Sequence, residues 1–401
     1  MNIPVSRPLV TGLIWLVIAT TLGVVAWQKI LEGTLAWDAV IYQHTIIQVH
    51  SGQSPYITDF AMMERARAQN IRFASLYSPL TMAFFGLLGS LPVWLYGSLY
   101  WLLYAACALA PLWAMRFLLL PNERVYASIL APLCILFPGL LYTDTILTGN
   151  VAYVMYGVAL AAAVIGWRKN RWIWFYLAVL LASCTKPHLL TLLAIPVFSA
   201  RRQWLGSVLA GFTGAAIFFS QAWIMPKMFA AYLQSMDVFM RYPSNRDNGF
   251  SPTEALGEVL KFYGISFKLP CLIFYITYSV VILLVLLWFS QRYKAGQLTF
   301  SAWAPSMLLG VILLDPRIMQ YDVAPVTIPL AVIIWRFFAA RGWSRKWTLS
   351  ASLAFLLIAN LAVVFLDALN LNSKLTELPI MLGVFIAGVI VLKKQLEEPA
   401  T

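Results

Sequence analysis

Twelve apolar segments follow one another along this chain, separated by short polar connections, and few folds accommodate that pattern. Hydrophobic residues make up 61% of the 401 residues, charged residues make up 11%, and the mean hydropathy is +0.78. This composition excludes an ordinary water-soluble fold. Inside hydrocarbon each backbone polar group needs a partner within its own segment, so the sequence predicts an all-α polytopic membrane protein.

The basic residues predict how the chain is threaded. Sixteen of the 28 Lys and Arg residues lie in or beside short connections, where the positive-inside rule places them in the cytoplasm. The net charge of +12 therefore indicates topology, and no nucleic-acid partner is expected. The sixteen are Arg7, Arg116, Arg124, Arg168, Lys169, Arg171, Arg201, Arg202, Arg292, Lys294, Arg336, Arg341, Arg345, Lys346, Lys393 and Lys394.

These clusters divide a single membrane domain, residues 1–401, into about 12 transmembrane helices, several of them shorter than the usual length of about 20 residues. The expected spans are 9–28, 93–115, 125–143, 146–166, 172–185, 187–200, 204–225, 270–290, 298–314, 323–338, 347–367 and 378–392.

One further apolar stretch is not expected to cross, because a crossing there would move every later basic cluster to the outside. Tyr77–Pro92 is therefore predicted to be a re-entrant or interfacial helix on the outer face. Both chain ends are then cytoplasmic, and the acidic residues lie outside except for Glu123, Glu397 and Glu398.

Two regions hold most of the predicted outer material, residues 29–92 and the outer loop 226–269. Apolar and polar residues mix between Asp38 and Gln53, which suggests a juxtamembrane helix lying in the interface. The turn-rich segment Tyr242–Gly249 is either a substrate lid or a linker.

Asp38 follows the first span and has apolar neighbours, so its carboxylate is expected to be partly desolvated. Desolvation raises a carboxylate pKa, which would suit Asp38 to accept a proton from a hydroxyl group. The alternative is that Asp38 caps the N-terminus of the juxtamembrane helix.

Lys186 interrupts a segment that is otherwise apolar from Trp172 to Phe198, and Pro187 prevents a regular helix there. With His188 beside it, this lysine is a candidate phosphate-binding group. A snorkelling lysine in an ordinary loop is the alternative.

Two more polar patches are expected on the same face. Arg317 either binds phosphate or forms a structural pair with Asp315 or Asp322. Asn150, in a patch that includes Tyr142-Thr143-Asp144, either binds sugar hydroxyls or ends a tight turn with Gly149.

No motif for a metal site, a cofactor or a common hydrolase is present. The three histidines make no convincing zinc site, and Asp38 has no second carboxylate at a spacing typical of metal binding. Neither a metal nor a cofactor is therefore expected.

An ordered set of short motifs carries a resemblance to a known family. Trp37-Asp38 with Tyr42 comes first, followed by Gly52-Gln53-Ser54-Pro55-Tyr56, Tyr77-Ser78-Pro79-Leu80, Gly149-Asn150 and Lys186-Pro187. In this order the motifs resemble the polyprenol-phosphate-dependent GT-C glycosyltransferases, and in particular glycosyltransferase family 87. Members of that family often have Gly-Gln where this chain has Gly149-Asn150.

The resemblance implies an inverting hexosyltransferase, with mannose as the favoured sugar, in a bacterial inner or plasma membrane. A polyprenyl-phosphate monosaccharide would donate the sugar to a glycolipid or glycan hydroxyl at the extracytoplasmic face. Asp38 would be the general base, while Lys186, His188 and Arg317 would bind the donor phosphate. The expected substrate-binding residues are Tyr42, Tyr77, Asn150, Tyr321 and Asp322.

Two other classes stay open on the sequence. A flippase or transporter for lipid-linked saccharides also has a many-span scaffold, but it typically carries ionisable groups through the membrane centre. A polysaccharide polymerase or ligase also uses polyprenyl-linked donors, but it usually has a larger outer loop than 226–269.

Overall fold

A computed structural model describes residues 7–68, 77–120, 123, 129, 145–199, 203–241, 251–264, 268–368 and 374–397. Within these ranges the regular structure is helical, with no strand. Three 3₁₀ helices cover Thr145–Leu147, Pro187–Leu193 and Gln320–Val326. The α-helices are α1 (Arg7–Leu31), α2 (Trp37–His50), α3 (Phe60–Ala68), α4 (Pro79–Leu88), α5 (Val93–Ala108), α6 (Ala110–Leu118), α7 (Val151–Lys169), α8 (Ile173–Thr185), α9 (Ala194–Ser199), α10 (Trp204–Ile224), α11 (Pro226–Arg241), α12 (Pro252–Phe262), α13 (Lys268–Lys294), α14 (Phe300–Leu313), α15 (Thr327–Ala339), α16 (Arg345–Ala368) and α17 (Lys374–Glu397).

Membrane spans are the main feature of this fold. Six segments in the described part of the chain are long and apolar enough to cross a bilayer, which makes this a membrane protein. They are Thr11–Leu31, Val93–Ala114, Val151–Lys169, Trp204–Ile224, Leu269–Lys294 and Tyr321–Ala339.

Several expected spans are short helices in the structure. The segments 172–185, 187–200 and 298–314 contain apolar helices of 10–17 residues, and α4 within Tyr77–Pro92 has 10 residues. Helices of 10–17 residues rise about 15–25 Å, which is less than the thickness of about 30 Å of the hydrocarbon core. The expected span 125–143 lies almost wholly outside the described residues, so the count of 12 stays a prediction.

The C-terminal half supplies the centre of the bundle. In the most apolar part of Tyr321–Ala339, 83% of the residues are buried, against 6% in the most apolar part of the N-terminal Thr11–Leu31 segment. Apolar side chains such as Leu16 and Trp27 cover the outside of α1. In a membrane protein such a surface contacts lipid tails, so α1 lies at the periphery and α15 at the core.

Close packing of α5 against α7 depends on Gly157. A Cβ atom built at Gly157 would lie 2.5 Å from Cys107 Cβ and 2.6 Å from the Cys107 carbonyl oxygen. Both atoms sit next to the helix backbone and cannot rotate away. Glycine therefore sets the distance between these helices, which is a common way to bring membrane helices together.

A buried ion pair marks one end of the bundle. Arg336 Nε and Nη2 donate to the two carboxylate oxygens of Glu123 at 2.8 and 2.7 Å, and Arg336 Nη1 donates to the Ser301 carbonyl oxygen at 2.7 Å. Asp322 begins the same helical segment 14 residues earlier, which corresponds to about 20 Å at 1.5 Å per residue. The Glu123–Arg336 pair and Asp322 therefore lie at opposite ends.

Helices also occupy the two regions predicted to be outer loops. The predicted helix between Asp38 and Gln53 is present as α2, and the loop 226–269 contains α11 and α12. The turn-rich segment Tyr242–Gly249 lies outside the described residues, as does Tyr142-Thr143-Asp144. Neither the lid nor the linker interpretation is therefore decided.

Candidate active site

Four parts of the chain meet at the end of the bundle opposite Arg336, and we call this place the Asp38–Lys186 site. Asp38 comes from the first turn of α2, and Asn150 from the start of α7. Lys186 occupies the break after α8. Tyr321 and Asp322 lie in the first turn of the 3₁₀ helix that precedes α15.

Asn150 connects the two charged groups after which the site is named. Its Nδ2 donates to Asp38 Oδ2 at 3.1 Å, and its Oδ1 accepts from Lys186 Nζ at 3.5 Å. The same Oδ1 accepts the Ala152 backbone N–H at 2.9 Å, so Asn150 is the N-cap of α7. The cap fixes the amide orientation, with its donor toward the carboxylate and its acceptor toward the ammonium group.

Asp38 is positioned by its own backbone. The Asp38 N–H donates to the Thr148 carbonyl oxygen at 2.8 Å, which ties the start of α2 to the turn before α7. Ala36, with φ of 56°, precedes the helix and makes no side-chain cap. The N-cap interpretation of Asp38 is therefore wrong, because this half-buried carboxylate lies inside the first turn and turns toward Asn150.

Gly149 makes that turn possible. Its φ of +71° is one that residues with a side chain rarely adopt, and an added Cβ would lie 2.8 Å from the Trp101 ring. The Tyr100 hydroxyl also donates to the Gly149 carbonyl oxygen. The tight-turn interpretation of Gly149-Asn150 is thus correct, and the turn also delivers the Asn150 side chain to Asp38 and Lys186.

A pair of buried tyrosines packs beside the Asp38–Lys186 site. The hydroxyl oxygens of Tyr42 and Tyr77 are 2.7 Å apart, and the Val151 N–H at the start of α7 donates to the Tyr42 hydroxyl at 3.2 Å. Tyr56 donates to the Tyr77 carbonyl oxygen at 2.9 Å. Burial raises the pKa of both Tyr42 and Tyr77 well above the usual value, and Asp38 acts in the same direction. Both phenols stay protonated at neutral pH and serve as hydrogen-bonding groups.

Lys186 owes its position to Pro187. Pro187 lacks a backbone donor and disfavours helical geometry in the residue before it, so α8 ends at Thr185 and Lys186 is extended, with φ of −130°. The freed Cys184 carbonyl oxygen accepts from the hydroxyls of Ser78 and Thr81, next to Tyr77. The break therefore joins α4 to the end of α8.

The Lys186 ammonium group is buried and forms no ion pair with the described residues. Its residue is 7% exposed, its Nζ lies 3.8 Å from the centre of the Tyr321 ring, and it donates a hydrogen bond to Asn150. No carboxylate oxygen of the described residues lies within 4.0 Å of Nζ. Burial lowers the pKa of Lys186 to about 8, against the opposing influence of Asp322. The snorkelling interpretation is wrong, because it requires an exposed ammonium group.

Two buried carboxyl groups, those of Asp315 and Asp322, lie near Lys186. Asp315 Oδ1 accepts the Arg317 backbone N–H at 2.9 Å, and Asp322 Oδ2 accepts the Met319 N–H at 2.8 Å. His188 Nε2 is 3.9 Å from Asp315 Oδ2, which is too long for a hydrogen bond. Burial, reinforced by Asp322, raises the pKa of Asp315 well above its usual value.

Arg317 forms neither of the two ion pairs that the sequence left open. Its backbone N–H contacts Asp315, but its half-buried guanidinium group forms no ion pair with a carboxylate among the described residues. The expected Arg317–Asp315 and Arg317–Asp322 pairs are therefore absent from this part of the chain. The guanidinium group is left available for an anion.

The structure brings together most of the predicted site residues and adds several. Asp38, Tyr42, Tyr77, Asn150, Lys186 and Tyr321 are linked by the contacts above, and His188, Arg317 and Asp322 lie on the Asp315 side. Sequence reasoning missed Tyr100, Tyr156 and Gln221. Gln221 accepts the Leu80 N–H at 2.9 Å, and Tyr156 presents a buried hydroxyl near Asp322. A polar atom inside an apolar helix was their only signal.

Comparison of the chain with family models, curated proteins and solved structures finds no match. The resemblance to family 87 therefore stays a prediction, and the geometry of the site carries the functional argument. Among the described residues, no group of three or more His, Cys, Asp and Glu side chains is arranged to hold a metal ion.

Proposed function

We propose that this protein is a membrane glycosyltransferase that moves a hexose from a polyprenyl-phosphate donor to an acceptor hydroxyl group. The observation that carries the proposal is the buried Lys186 ammonium group, which forms no ion pair in the described part of the chain and shares the Asn150 amide with Asp38. Burying a cation without a charged partner destabilises a fold, so such a group is commonly kept for a function. An incoming phosphate group would supply the missing negative charge.

The proposed reaction is a single displacement. Asp38 takes the proton of the acceptor hydroxyl as its oxygen attacks the anomeric carbon. The bond from that carbon to the donor phosphate oxygen breaks, the configuration inverts, and the polyprenyl phosphate leaves as an anion. Lys186, with Arg317 next to it, stabilises the negative charge that develops on the leaving group.

Asn150 keeps the base and the cation from neutralising each other. Its amide donates to Asp38 and accepts from Lys186, so a neutral group stands between the carboxylate and the ammonium group. A direct Asp38–Lys186 ion pair would lower the basicity of the carboxylate and occupy the phosphate-binding cation. The amide therefore supports both proposed roles at once.

The proposal includes mannose as the sugar, a glycolipid or glycan as the acceptor, and the extracytoplasmic face as the location. These three points rest on the resemblance of the motifs and on the distribution of basic residues. Tyr42, Tyr77, Tyr321 and Asp322 would line the sugar and donor. His188 would assist Arg317 at the phosphate.

Transfer of label tests the proposal directly. Purified wild type and Asp38→Asn would be incubated with radiolabelled polyprenyl-phosphate mannose and a membrane glycolipid extract, with and without a chelator. Glu64→Gln, an exposed acid in α3, is the matched control. We expect Asp38→Asn to slow transfer by about 10²–10⁴-fold, the usual contribution of a general base, and the control to be unchanged. Equal transfer by all three proteins would remove Asp38 from the mechanism.

One observation favours a transporter as a second candidate. Lys186, Asp315 and Asp322 are buried ionisable groups in one cluster, and transporters place such groups along their substrate pathway. Proteoliposomes distinguish the two functions. Movement of a labelled lipid-linked sugar between leaflets without any new glycosidic product would support transport and contradict the transferase.

A further inference from the structure

Four buried polar atoms near Lys186 make no hydrogen bond with any described residue. They are the Tyr156 hydroxyl oxygen, His188 Nε2, Asp315 Oδ2 and Asp322 Oδ1. Tyr156, Asp315 and Asp322 are 3%, 1% and 0% exposed. Buried polar groups are nearly always hydrogen-bonded, and leaving one unsatisfied costs free energy. Four exceptions in one place therefore indicate groups that are kept for a ligand.

These four side chains come from different parts of the fold. Tyr156 lies in α7, His188 in the 3₁₀ helix after Lys186, Asp315 just after α14, and Asp322 in the 3₁₀ helix before α15. His188 Nε2 is 3.9 Å from Asp315 Oδ2. The Tyr156 hydroxyl is near the Asp322 carboxyl group, and both groups interact electrostatically with Asp315. We call them the Tyr156–Asp315 cluster.

The chemistry of the unsatisfied atoms matches a polyol better than an anion. The carboxyl oxygens of Asp315 and Asp322 are acceptors, the Tyr156 hydroxyl can donate, and the His188 ring nitrogen donates or accepts according to its tautomer. Each hydroxyl group of a polyol both donates and accepts, so neighbouring hydroxyls can satisfy such a mixed set. A phosphate group offers mainly acceptors and would face two carboxyl groups.

The cluster borders the cations assigned to the phosphate. Asp322 directly follows Tyr321, whose ring centre is 3.8 Å from Lys186 Nζ. Asp315 Oδ1 accepts the Arg317 backbone N–H at 2.9 Å. In a glycosyl phosphate the ring hydroxyls lie within a few bonds of the phosphate. One ligand can therefore place its phosphate at Lys186 and its hydroxyls at the cluster.

We propose that Tyr156, Asp315 and Asp322, with His188 at the edge, recognise the ring hydroxyl groups of the donor hexose. This inference rests on the proposed function and assigns its sugar specificity to these residues. The cover over the cluster is thin on one side, where the His188 side chain is 17% exposed and Pro316 is exposed. Movement of the half-buried Arg317 side chain would admit the sugar from this side.

Equilibrium binding to the full-length protein in detergent tests the inference without any turnover. The probes are polyprenyl-phosphate mannose and polyprenyl phosphate of the same chain length, with no acceptor present. The test variant is Tyr156→Phe, which removes one hydroxyl and keeps the ring. Its matched control is Tyr278→Phe in α13, which also removes a buried hydroxyl that has no hydrogen-bond partner among the described residues.

We expect Tyr156→Phe to bind the sugar-bearing lipid about 3–10-fold more weakly, the usual effect of one lost hydrogen bond. Its affinity for the bare lipid phosphate should change by less than about twofold, as should the affinity of Tyr278→Phe for either lipid. One monodeoxy analogue of the donor should bind wild type and Tyr156→Phe equally, because it lacks the hydroxyl that Tyr156 meets. Without ligand, neither variant should melt below wild type, since each loses a hydroxyl that was unsatisfied.

Two results would overturn this inference alone: unchanged binding of the sugar-bearing lipid by Tyr156→Phe, or equal weakening of both lipids. A melting temperature of Tyr156→Phe several degrees below that of Tyr278→Phe would also overturn it, because the hydroxyl would then already have a partner in the protein. Failure of wild type to bind either lipid would contradict the proposed function as well. The two failures are therefore distinguishable.

Discussion

Lys186→Met tests separately how the buried charge affects stability and how it affects activity. The substitution removes the ammonium group and keeps an unbranched side chain that can still contact the Tyr321 ring. A pKa of about 8, against a usual value of 10.5, corresponds to a penalty of about 3 kcal/mol for carrying the charge at neutral pH. Loss of the hydrogen bond to Asn150 and of the ring contact cancels about 1 kcal/mol of this gain in stability. The variant should therefore be about 2 kcal/mol more stable than wild type.

The direction of the pKa shift determines how the stability difference changes with pH. The folded-state pKa of Lys186 is lowered, so the folded protein loses its proton before the unfolded chain does. The penalty is fully present below pH 8 and disappears as the pH rises toward 10.5. The stability difference between Lys186→Met and wild type should therefore be largest at pH 7 and narrow steadily above pH 8.

Thermal unfolding in detergent measures the effect. For a chain of 401 residues, a change of about 2 kcal/mol raises the melting temperature by about 2–3 °C. Lys227→Met, which removes an exposed lysine in α11, is the matched control and should not change it. Sugar transfer by Lys186→Met should fall by about 10²–10³-fold. A melting temperature several degrees below that of wild type would refute the reasoning, since it would mean that the ammonium group is already well compensated.

Substitutions at three further positions, Asn150, Glu123 and Gly157, test other parts of the structure. Asn150→Ala and Asn150→Ser should slow transfer equally, because both lose the donor to Asp38, but only the alanine loses the α7 cap and about 1 kcal/mol of stability in a denaturation series. Glu123→Gln should cost about 3–5 kcal/mol in the same assay, since it leaves Arg336 buried without its partner. Gly157→Ala should lower the melting temperature by forcing α5 and α7 apart, at a cost of about 1–3 kcal/mol. Gly97→Ala, on an open face of α5, should raise it slightly by reducing backbone freedom in the unfolded chain, and equal effects of the two substitutions would contradict the packing argument.

Much of the architecture could be predicted because the membrane restricts the choices. Hydrocarbon requires helices, so the apolar periodicity indicated α1, α10 and α13 close to their observed bounds. Asp38 and Lys186 were identifiable for the same reason, since charged residues beside or inside apolar segments are costly. The alternatives that related each residue to its sequence neighbours were wrong. The Asp38 cap, the snorkelling of Lys186 and the pairing of Arg317 with Asp315 or Asp322 are all absent from the described structure.

What the tertiary structure alone decided is which polar groups meet. Asn150 is 112 residues from Asp38 and 36 from Lys186, and no local pattern indicates that one amide contacts both. Glu123, an exception to the predicted one-sided distribution of acids, forms an ion pair with Arg336 across 213 residues. The physical reason is that polarity and propensity are properties of short segments, whereas the contacts of a buried polar group depend on how whole helices pack. The sequence by itself determined a helical membrane protein with two anomalous charges, and helix packing decided that a neutral amide would stand between them.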